Sequence, residues 1–287
     1  MKEIKNLGAC DLHVHSFHSD GTYSPAELID EAERIGLYAI ALTDHNTIAG
    51  LPDFLAAAKG KRVKAIPGVE FSTDYKNTEL HIIALFVGED HYGKIKKITF
   101  DLLCRKEKSY VDLCDALGRD GINVDYAKIK SEAHGMPNRA HIAEALTKAG
   151  YTTSIKEAFA TLLSKEGKYY KEPSKLDALE TIEFIKSMGA VAVLAHPLLS
   201  LSEDALREFL PKGRAHGLDA IETLYHAYTE ENTLLAKRLA KEFSLLESGG
   251  SDFHGERRPQ VSLGIGEGEL YIGKDIIKEL EKRTKQA

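Results

Sequence analysis

The sequence predicts an α/β barrel with mostly parallel strands and a helical insertion. Apolar strand-like runs alternate with amphipathic helical runs up to residue 87, and the same alternation returns after residue 177. The stretch between them is charged and helical in its periodicity, without a convincing strand. We therefore expect residues 1–91 and 176–287 to form the barrel, and residues 92–175 to form a mostly helical insertion over its functional site.

The first helix has clear start and stop signals. Ser24 is a candidate N-cap, Pro25 suits the first helical position, and Glu27 completes a capping box. Gly36 ends the apolar periodicity and is typical of a helix C-terminus. The alternation then continues with strands and a helix at residues 38–42, 51–59 (the helix), 63–69 and 80–87.

A polar stretch, residues 73–79, predicts a loop between the third and fourth strands. If these strands form an antiparallel hairpin, Glu70 and His81 return to the same end. We therefore expect a barrel that is mostly but not wholly parallel.

The remaining periodic segments complete a count of seven strands. Helices are expected in the insertion at residues 141–149 and 155–163. Beyond it, the pattern predicts helices at residues 177–188, 203–210, 230–243 and 274–285, and strands at residues 190–195, 218–224 and 245–250.

Side chains that bind metals recur where these strands end. His13 and His15 alternate along one strand, so both imidazoles point to the same side. Barrels and open α/β sheets place their sites at the carboxyl ends of strands. Together with later strand ends and a neighbouring turn, this pattern predicts nine candidate metal ligands: His13, His15, Asp20, His45, Glu70, His81, His196, Asp252 and His254.

Nine imidazole and carboxylate ligands are too many for one ion, and they predict two or three divalent ions with Glu70 as a candidate bridge. Manganese is our first expectation, with iron and zinc as alternatives. Clustered ions lower the pKa of a bound water, which suits hydrolysis of a phosphate ester. Asp44 is interpreted as a partner that orients His45 rather than as a ligand.

Candidate phosphate contacts lie mainly in the insertion. Arg139 follows Pro137 at an expected helix start, where a guanidinium and the helix N-terminus both favour an anion. The alternative is an ordinary arginine in the first turn of a helix. Lys171 is a second candidate cation, and His226 is expected to face the substrate after its strand. The glycine-rich run at residues 264–268 lacks a strand–helix context and is interpreted as turns.

Composition excludes several classes of protein. The formal charge of −6 argues against a broad surface for duplex DNA. The three cysteines, Cys10, Cys104 and Cys114, show no paired spacing, which predicts reduced thiols and a cytoplasmic location. No apolar run has transmembrane length, so we expect no membrane contact. Residues 1–6 lead directly into the first strand, and we expect no signal peptide.

The motif set resembles the PHP (polymerase and histidinol phosphatase) superfamily. The residues that carry the resemblance are Asp11-Leu12-His13-Val14-His15, Ser19-Asp20-Gly21, Thr43-Asp44-His45, Gly68-Val69-Glu70 with His81, Ala195-His196-Pro197 and Gly250-Ser251-Asp252-Phe253-His254. The resemblance implies a distorted seven-stranded α/β barrel with a trinuclear metal site. The segment after Asn138 is similar to the branch of nucleoside 3′,5′-bisphosphate phosphatases and 5′→3′ exoribonucleases, in which the residues matching Arg139 and His141 contact phosphate.

The resemblance also implies a partition of the ligands and a mechanism. One ion would be held by His13, His15, Glu70 and Asp252, a second by Asp20, His45 and His254, and a third by Glu70, His81 and His196. A hydroxide bridging two ions would attack phosphorus in line. We expect catalysis to involve Asp20, His45, Arg139, His141 and His254, and substrate binding to involve Arg139, His141, Lys171 and His226.

The resulting hypothesis is a metal-dependent phosphoesterase for small nucleotides or short single-stranded, 5′-phosphorylated RNA. The alternatives are a histidinol-phosphate phosphatase, an amidohydrolase and a non-catalytic metal-binding module. An amidohydrolase usually bridges its metals with a modified lysine, whereas this chain offers Glu70. The sequence leaves the oligomeric state open.

Overall fold

The computed structural model describes residues 8–132 and 137–285, and the chain divides into two compact units. The barrel unit comprises Met1–Lys96 and Lys175–Ala287, and the helical unit comprises Lys97–Ser174. Residues 1–6, on which the expectation about a signal peptide rests, lie outside the described part. Within that part, no helix combines the length and the apolar character needed to cross a bilayer.

The described residues of the barrel unit contain a nine-stranded sheet. Seven strands match the predicted ones, and β5 and β9 add two residues each, so the predicted fold class is confirmed. The strands are β1 (Ala9–Val14), β2 (Ala39–Leu42), β3 (Lys64–Tyr75), β4 (Thr78–Leu85), β5 (Leu176–Asp177), β6 (Val191–Leu194), β7 (Ala220–Tyr225), β8 (Leu246–Gly250) and β9 (Ile272–Gly273).

Strand directions follow the expected mixed pattern. The order is β8-β7-β6-β4-β3-β2-β1-β9, with β5 paired to β3. Strands β1 to β3 are parallel, β4 is antiparallel to both β3 and β6, and β6 to β8 are again parallel. A parallel bridge joins Val14 to Phe253, which follows β8, so the sheet curls into a nearly closed barrel.

The β3–β4 hairpin is longer than the sequence predicts. The expected loop at residues 73–79 is wrong, because β3 continues to Tyr75 and β4 begins at Thr78. Lys76 and Asn77 form the turn with φ values of 52° and 64°. Cross-strand pairing compensates for the polar composition, and it places Ser72 opposite His81, two residues beyond Glu70.

Helices cover the sheet of the barrel unit. Ser24 and Glu27 form the predicted capping box of the first helix, and Gly36 ends it at φ 80°. The helices assigned to this unit are α1 (Pro25–Ile35), α2 (Leu51–Ala57), α7 (Ala178–Ser187), α8 (Pro197–Ser200), α9 (Glu203–Ala215), α10 (Glu230–Glu242) and α11 (Lys274–Glu281).

Apolar side chains pack on both faces of the sheet. Along β2, Ile40 and Leu42 join one buried cluster with Leu28 of α1, whereas Ala39 and Ala41 join a second cluster. A strand that is buried on both faces explains the continuous apolar run in the sequence. The barrel is therefore a packed scaffold, which can hold functional side chains rigidly at its edge.

The helical unit has an apolar and aromatic core of its own. Its helices are α3 (Tyr92–Arg119, which begins in the barrel unit), α4 (Tyr126–Glu132), α5 (Arg139–Lys148) and α6 (Ile155–Ala160). Tyr110, Leu113 and Leu117 of α3 are buried with Ile142 and Leu146 of α5. The helical periodicity predicted for this stretch corresponds to these buried faces.

Candidate metal centre

The nine predicted metal ligands lie together in the barrel unit, and we call this set the ligand cluster. They fall into four groups whose candidate ligand atoms lie within 4.8 Å of one another. The groups are His13, His15 and Asp252; His15, Asp20, His45 and His254; His13, Glu70 and His196; and His45, Glu70 and His81.

Glu70 is at the centre of the ligand cluster and is fully buried. Its Oε1 lies 2.9 Å from His81 Nδ1 and 3.2 Å from His196 Nε2. Its Oε2 lies 3.1 Å from His13 Nε2, 3.2 Å from His15 Nε2 and 3.1 Å from His45 Nδ1. One carboxylate thus contacts five imidazoles through both oxygens, as a bridging ligand would.

Asp252 and Asp20 complete the other side of the cluster. Asp252 Oδ1 lies 3.0 Å from His15 Nε2 and 3.5 Å from His13 Nε2. Asp20 Oδ2 lies 3.2 Å from His254 Nε2 and 3.8 Å from His45 Nε2. The Asp20 side chain is 40% exposed, whereas that of Asp252 is 6% exposed, so solvent reaches the cluster beside Asp20.

Several buried imidazole nitrogens in the cluster have no hydrogen-bond partner among the described residues. They are both ring nitrogens of His15, Nδ1 of His45 and of His196, and Nε2 of His254. Burying an unpaired polar nitrogen is costly, and a bound cation would remove that cost. The donor set of imidazole and carboxylate fits divalent manganese, iron or zinc.

Charge within the cluster is strongly coupled. Burial alone would raise the pKa of the Glu70 carboxyl, but His13, His45 and His81 hold that pKa well below its usual value. Burial likewise opposes charge on His81, yet Glu70 and Glu79 raise its pKa to about 10. The carboxylates therefore remain anionic and require cations, either protons on imidazole or metal ions, for balance.

Two buried acids that the sequence analysis missed support the ligands. Glu222 Oε1 lies 3.0 Å from His13 Nδ1, and its Oε2 accepts a 2.6 Å hydrogen bond from the His196 backbone N–H. Asp11 accepts hydrogen bonds from the backbone N–H and hydroxyl of Ser251, at 2.9 and 2.5 Å. A charged residue inside an apolar strand was the available signal in both cases.

Asp44 has a different role from the predicted one. Its carboxylate accepts hydrogen bonds from the Ser16 N–H at 2.8 Å and from the Ser16 and Ser19 hydroxyls at 2.6 Å. It therefore fixes the loop that carries Asp20, whereas the His45 ring nitrogens face Glu70 and Asp20.

The backbone is unusual at three positions of the site. A Cβ on Gly250 would lie 2.2 Å from the His13 Cβ, so only glycine allows the chain to pass this ligand so closely. His196 and Asp252 have φ values of 29° and 52°, although neither is glycine. Such left-handed conformations cost of order 1–3 kcal/mol each and are found mostly at functional sites.

The predicted phosphate contacts in the helical unit make local interactions. The Arg139 guanidinium lies over the Tyr170 ring, 4.4 Å from its centroid, and Nη1 donates to the Leu163 carbonyl at 3.3 Å. His141 joins Asn138 in a capping box at the start of α5, as the predicted helix start requires. Lys171 is exposed. The roles of Arg139, His141 and Lys171 towards a substrate stay predictions.

His226 lies in the barrel unit directly after β7. Its ring is 4.6 Å from that of Tyr225, whose hydroxyl donates to Asp252 Oδ2 at 2.9 Å. Its Nδ1 is buried without a hydrogen-bond partner among the described residues and is 3.5 Å from a Glu267 oxygen. His226 is thus one residue from the ligand cluster, and its contact with substrate stays a prediction.

The barrel and its ligand cluster define a class, the α/β-barrel hydrolases that use metal ions. Comparison with known proteins makes the assignment sharper. The sequence profile of the PHP domain family matches residues 11–190, and the chain belongs to this family. The predictions of the family and of a hydrolase acting on phosphate esters are confirmed.

Relatives of the chain match over most of its length. A 5′-3′ exoribonuclease of Haemophilus influenzae is 34% identical over 85% of this chain and 89% of its own. A 3′,5′-nucleoside bisphosphate phosphatase of Chromobacterium violaceum is 27% identical over 95% of this chain and 96% of its own. A solved structure from Bifidobacterium adolescentis, provisionally described as a metal-dependent phosphoesterase, superposes with a TM-score of 0.72 at 26% identity and covers 97% of both chains.

Proposed function

We propose that this protein hydrolyses phosphate esters of small nucleotides, such as nucleoside 3′,5′-bisphosphates, or of short 5′-phosphorylated RNA. The observation that carries the proposal is the ligand cluster, in which Glu70 contacts five imidazoles in a buried setting. The names of the exoribonuclease and bisphosphate phosphatase relatives support the nucleotide class. The net charge of −6 supports single-stranded or monomeric substrates over duplex DNA.

We assign two or three divalent ions to the cluster, with manganese first and iron or zinc as alternatives. His13, His15 and Asp252 would hold one ion, and Asp20, His45 and His254 would hold another, with His15 close to both. Glu70, His81 and His196 would hold the third. When bound, such ions supply a nucleophilic hydroxide at neutral pH and stabilise charge on phosphoryl oxygens.

The protein's own side chains orient this centre. Glu222 faces Nδ1 of His13 and so keeps the Nε2 lone pair directed towards Glu70. Asp20 and His45 have the most exposed side chains of the cluster, at 40% and 25%. We therefore place the leaving-group oxygen of the substrate beside Asp20 and His45, where a proton can also exchange with solvent.

Cationic and hydrogen-bonding groups of the helical unit complete the proposal. Arg139 and His141 lie at the N-terminus of α5, where helix dipole and guanidinium favour a phosphate. Lys171 and His226 are assigned to further substrate contacts. The insertion formed by residues 92–175 is proposed to lie over the site, and we place the protein in the cytoplasm because its thiols are unpaired.

The central bridge favours a phosphoesterase over the amidohydrolase alternative. An amidohydrolase usually joins its metals through a modified lysine, whereas the residue that contacts five imidazoles here is Glu70. The complete set of nine ligands also argues against a non-catalytic module.

Phosphate release by manganese-loaded protein tests the proposal. The substrates are adenosine 3′,5′-bisphosphate, AMP, histidinol phosphate and a short 5′-phosphorylated RNA. We expect a preference for the bisphosphate or the RNA. Arg139→Ala should raise KM for that substrate about tenfold or more, the effect of losing a charged hydrogen bond. Lys148→Ala, an exposed cation at the other end of α5, is the matched control.

Other outcomes lead to different conclusions. Activity confined to histidinol phosphate would assign the protein to that branch of the family. Absence of turnover on all four substrates, with metal bound, would reject the proposed activity. Equal KM values for the Arg139 and Lys148 variants would reject the role of Arg139 alone.

A further inference from the structure

Arg258 contacts the ligand cluster from a segment outside every predicted motif. Its Nη1 donates to Asp252 Oδ2 at 2.5 Å, and the Tyr225 hydroxyl donates to the same oxygen at 2.9 Å. The other oxygen, Oδ1, lies 3.0 Å from His15 Nε2. The Asp252 carboxylate is therefore divided between a metal-facing oxygen and an oxygen that faces a cation.

A tight turn brings Arg258 back to Asp252. Gly255 begins a short 3₁₀ turn at φ 67°, and a Cβ there would lie 2.1 Å from Thr22 Oγ1. The Arg258 backbone N–H donates to the Gly255 carbonyl at 3.1 Å and closes the turn. Arg257, one residue earlier, is exposed. Two adjacent arginines thus have different surroundings, and only the second is directed towards the cluster.

The Asp252 contact uses one end of the Arg258 guanidinium. This group has five N–H donors in a plane, and the contact with Asp252 engages Nη1. The side chain is 38% exposed, so solvent and solutes reach the rest of the group. Arg258 can therefore donate to a second anion while it keeps its contact with Asp252.

Electrostatics indicate which anion fits. A cation beside a centre for divalent ions opposes binding of those ions unless negative charge lies between them. Asp252 supplies part of that charge but shares it with His13 and His15. A phosphoryl group has several anionic oxygens, so it can contact the ions and the guanidinium together, and paired N–H donors match its geometry.

We propose that Arg258 binds the phosphate group of the substrate at the edge of the metal centre. The proposal rests on the proposed phosphoesterase function and adds a substrate contact from the barrel unit itself. It differs from a purely positional role, because Tyr225 already holds the same oxygen of Asp252 and a buried side chain would suffice for that purpose.

Binding of inorganic phosphate to manganese-loaded protein tests this role without turnover. Isothermal titration calorimetry would compare wild type with Arg258→Ala, Arg258→Lys and the matched control Arg257→Ala. We expect Arg258→Ala to weaken phosphate binding roughly tenfold to a hundredfold, and Arg258→Lys to restore part of the loss. Arg257→Ala should stay within about twofold of wild type, and bound manganese measured by elemental analysis should be equal in all four proteins.

The outcomes separate Arg258 from the proposed function. Weakened phosphate binding with unchanged metal content supports the inference, even if no ester is hydrolysed. Unchanged phosphate affinity in Arg258→Ala overturns it, as does failure of wild-type holoprotein to bind phosphate. Loss of manganese from Arg258→Ala also overturns it, because the arginine would then act through Asp252. With an active substrate, the same variant should raise KM by a similar factor and leave kcat nearly unchanged.

Discussion

The barrel unit and the helical unit bury different kinds of side chain. In the barrel unit, Glu70, His13 and His15 are fully buried although all three are polar. In the helical unit, the buried residues are mainly apolar or aromatic, and Arg139 lies on the Tyr170 ring near its N-cap Asn138. The barrel therefore carries the electrostatic cost of a site within its core, whereas the helical unit is stabilised as an ordinary apolar core.

This difference separates two kinds of functional residue. Side chains at strand ends have positions fixed by the sheet, so small changes there alter the geometry of the ligand cluster. Residues at the start of a helix, such as Arg139, depend on local capping and ring contacts. Substitutions should therefore affect metal binding in one unit and substrate affinity in the other.

Glu70→Gln should produce the largest effect. The change keeps the shape of the side chain but removes the charge that contacts five imidazoles. We expect phosphoesterase activity to fall by about two to three orders of magnitude or more, with loss of bound metal. Elemental analysis and initial rates would measure both. Glu208→Gln, a surface ion-pair glutamate, is the control, and retention of full metal content by Glu70→Gln would contradict the bridging assignment.

Glu222→Gln should have a smaller effect on the same property. The amide keeps a hydrogen-bonding oxygen but cannot offer two anionic oxygens to His13 and the His196 backbone. Removing such an orienting partner typically lowers metal affinity 10- to 100-fold, and we expect about that loss in a manganese titration. Glu247→Gln, a half-exposed residue on β8, should leave the affinity unchanged. If both variants bind alike, Glu222 does not orient the ligands.

Cysteine labelling compares the two units directly. Burial raises the pKa of the Cys10 thiol in β1 to about 12 and that of Cys114 in α3 to about 11, so both react slowly in the folded protein. Manganese should slow alkylation of Cys10 about tenfold by stabilising the barrel, and change Cys114 less than about twofold. Mass spectrometry would measure each rate, with exposed Cys104 as the reference. Equal protection of Cys10 and Cys114 would mean that the units open together.

The pH dependence of stability should distinguish metal-free from metal-loaded protein. In the metal-free protein, Glu70 and Glu79 overcome the effect of burial and raise the pKa of His81 from 6.5 to about 10. A raised folded-state pKa stabilises the protein fully below about pH 6.5, and this contribution is lost as pH rises towards 10. We expect urea unfolding of metal-free protein to show a loss of roughly 1–3 kcal/mol over that range.

Two comparisons test this assignment. Metal-loaded protein should lack the decline, because ions replace the protons on the imidazoles. The variant His81→Gln should lack most of it as well, even without metal. A metal-free wild type whose stability rises between pH 6.5 and 10 would show that His81 is neutral in the folded state.

Ligands at strand ends could be predicted from the sequence because strand periodicity and chain position together determine them. His13 and His15 are two residues apart on β1, and this spacing alone places both rings on one side. The β3–β4 hairpin was recognised for the same reason. Its length was not, because residues 73–79 are polar and their strand conformation depends on cross-strand pairing.

Supporting residues were harder to predict because their partners are remote in sequence. Glu222 contacts His13 across 209 positions, and neither residue's neighbours indicate the other. Arg258 reaches Asp252 only because Gly255 adopts a left-handed turn against Thr22. The substrate role of Arg139 is a different case, since its local contacts are compatible with both a structural and a binding role.

The left-handed backbone at His196 and Asp252 has a consequence for the evolution of this chain. Glycine would relieve the backbone at either position, so His196→Gly or Asp252→Gly gains conformational ease as it loses a ligand. Selection for thermal stability alone would favour such losses, whereas selection for chemistry opposes them. These two residues therefore mark where the protein trades stability for activity, and a variant library screened only for heat resistance should lose function first at these positions.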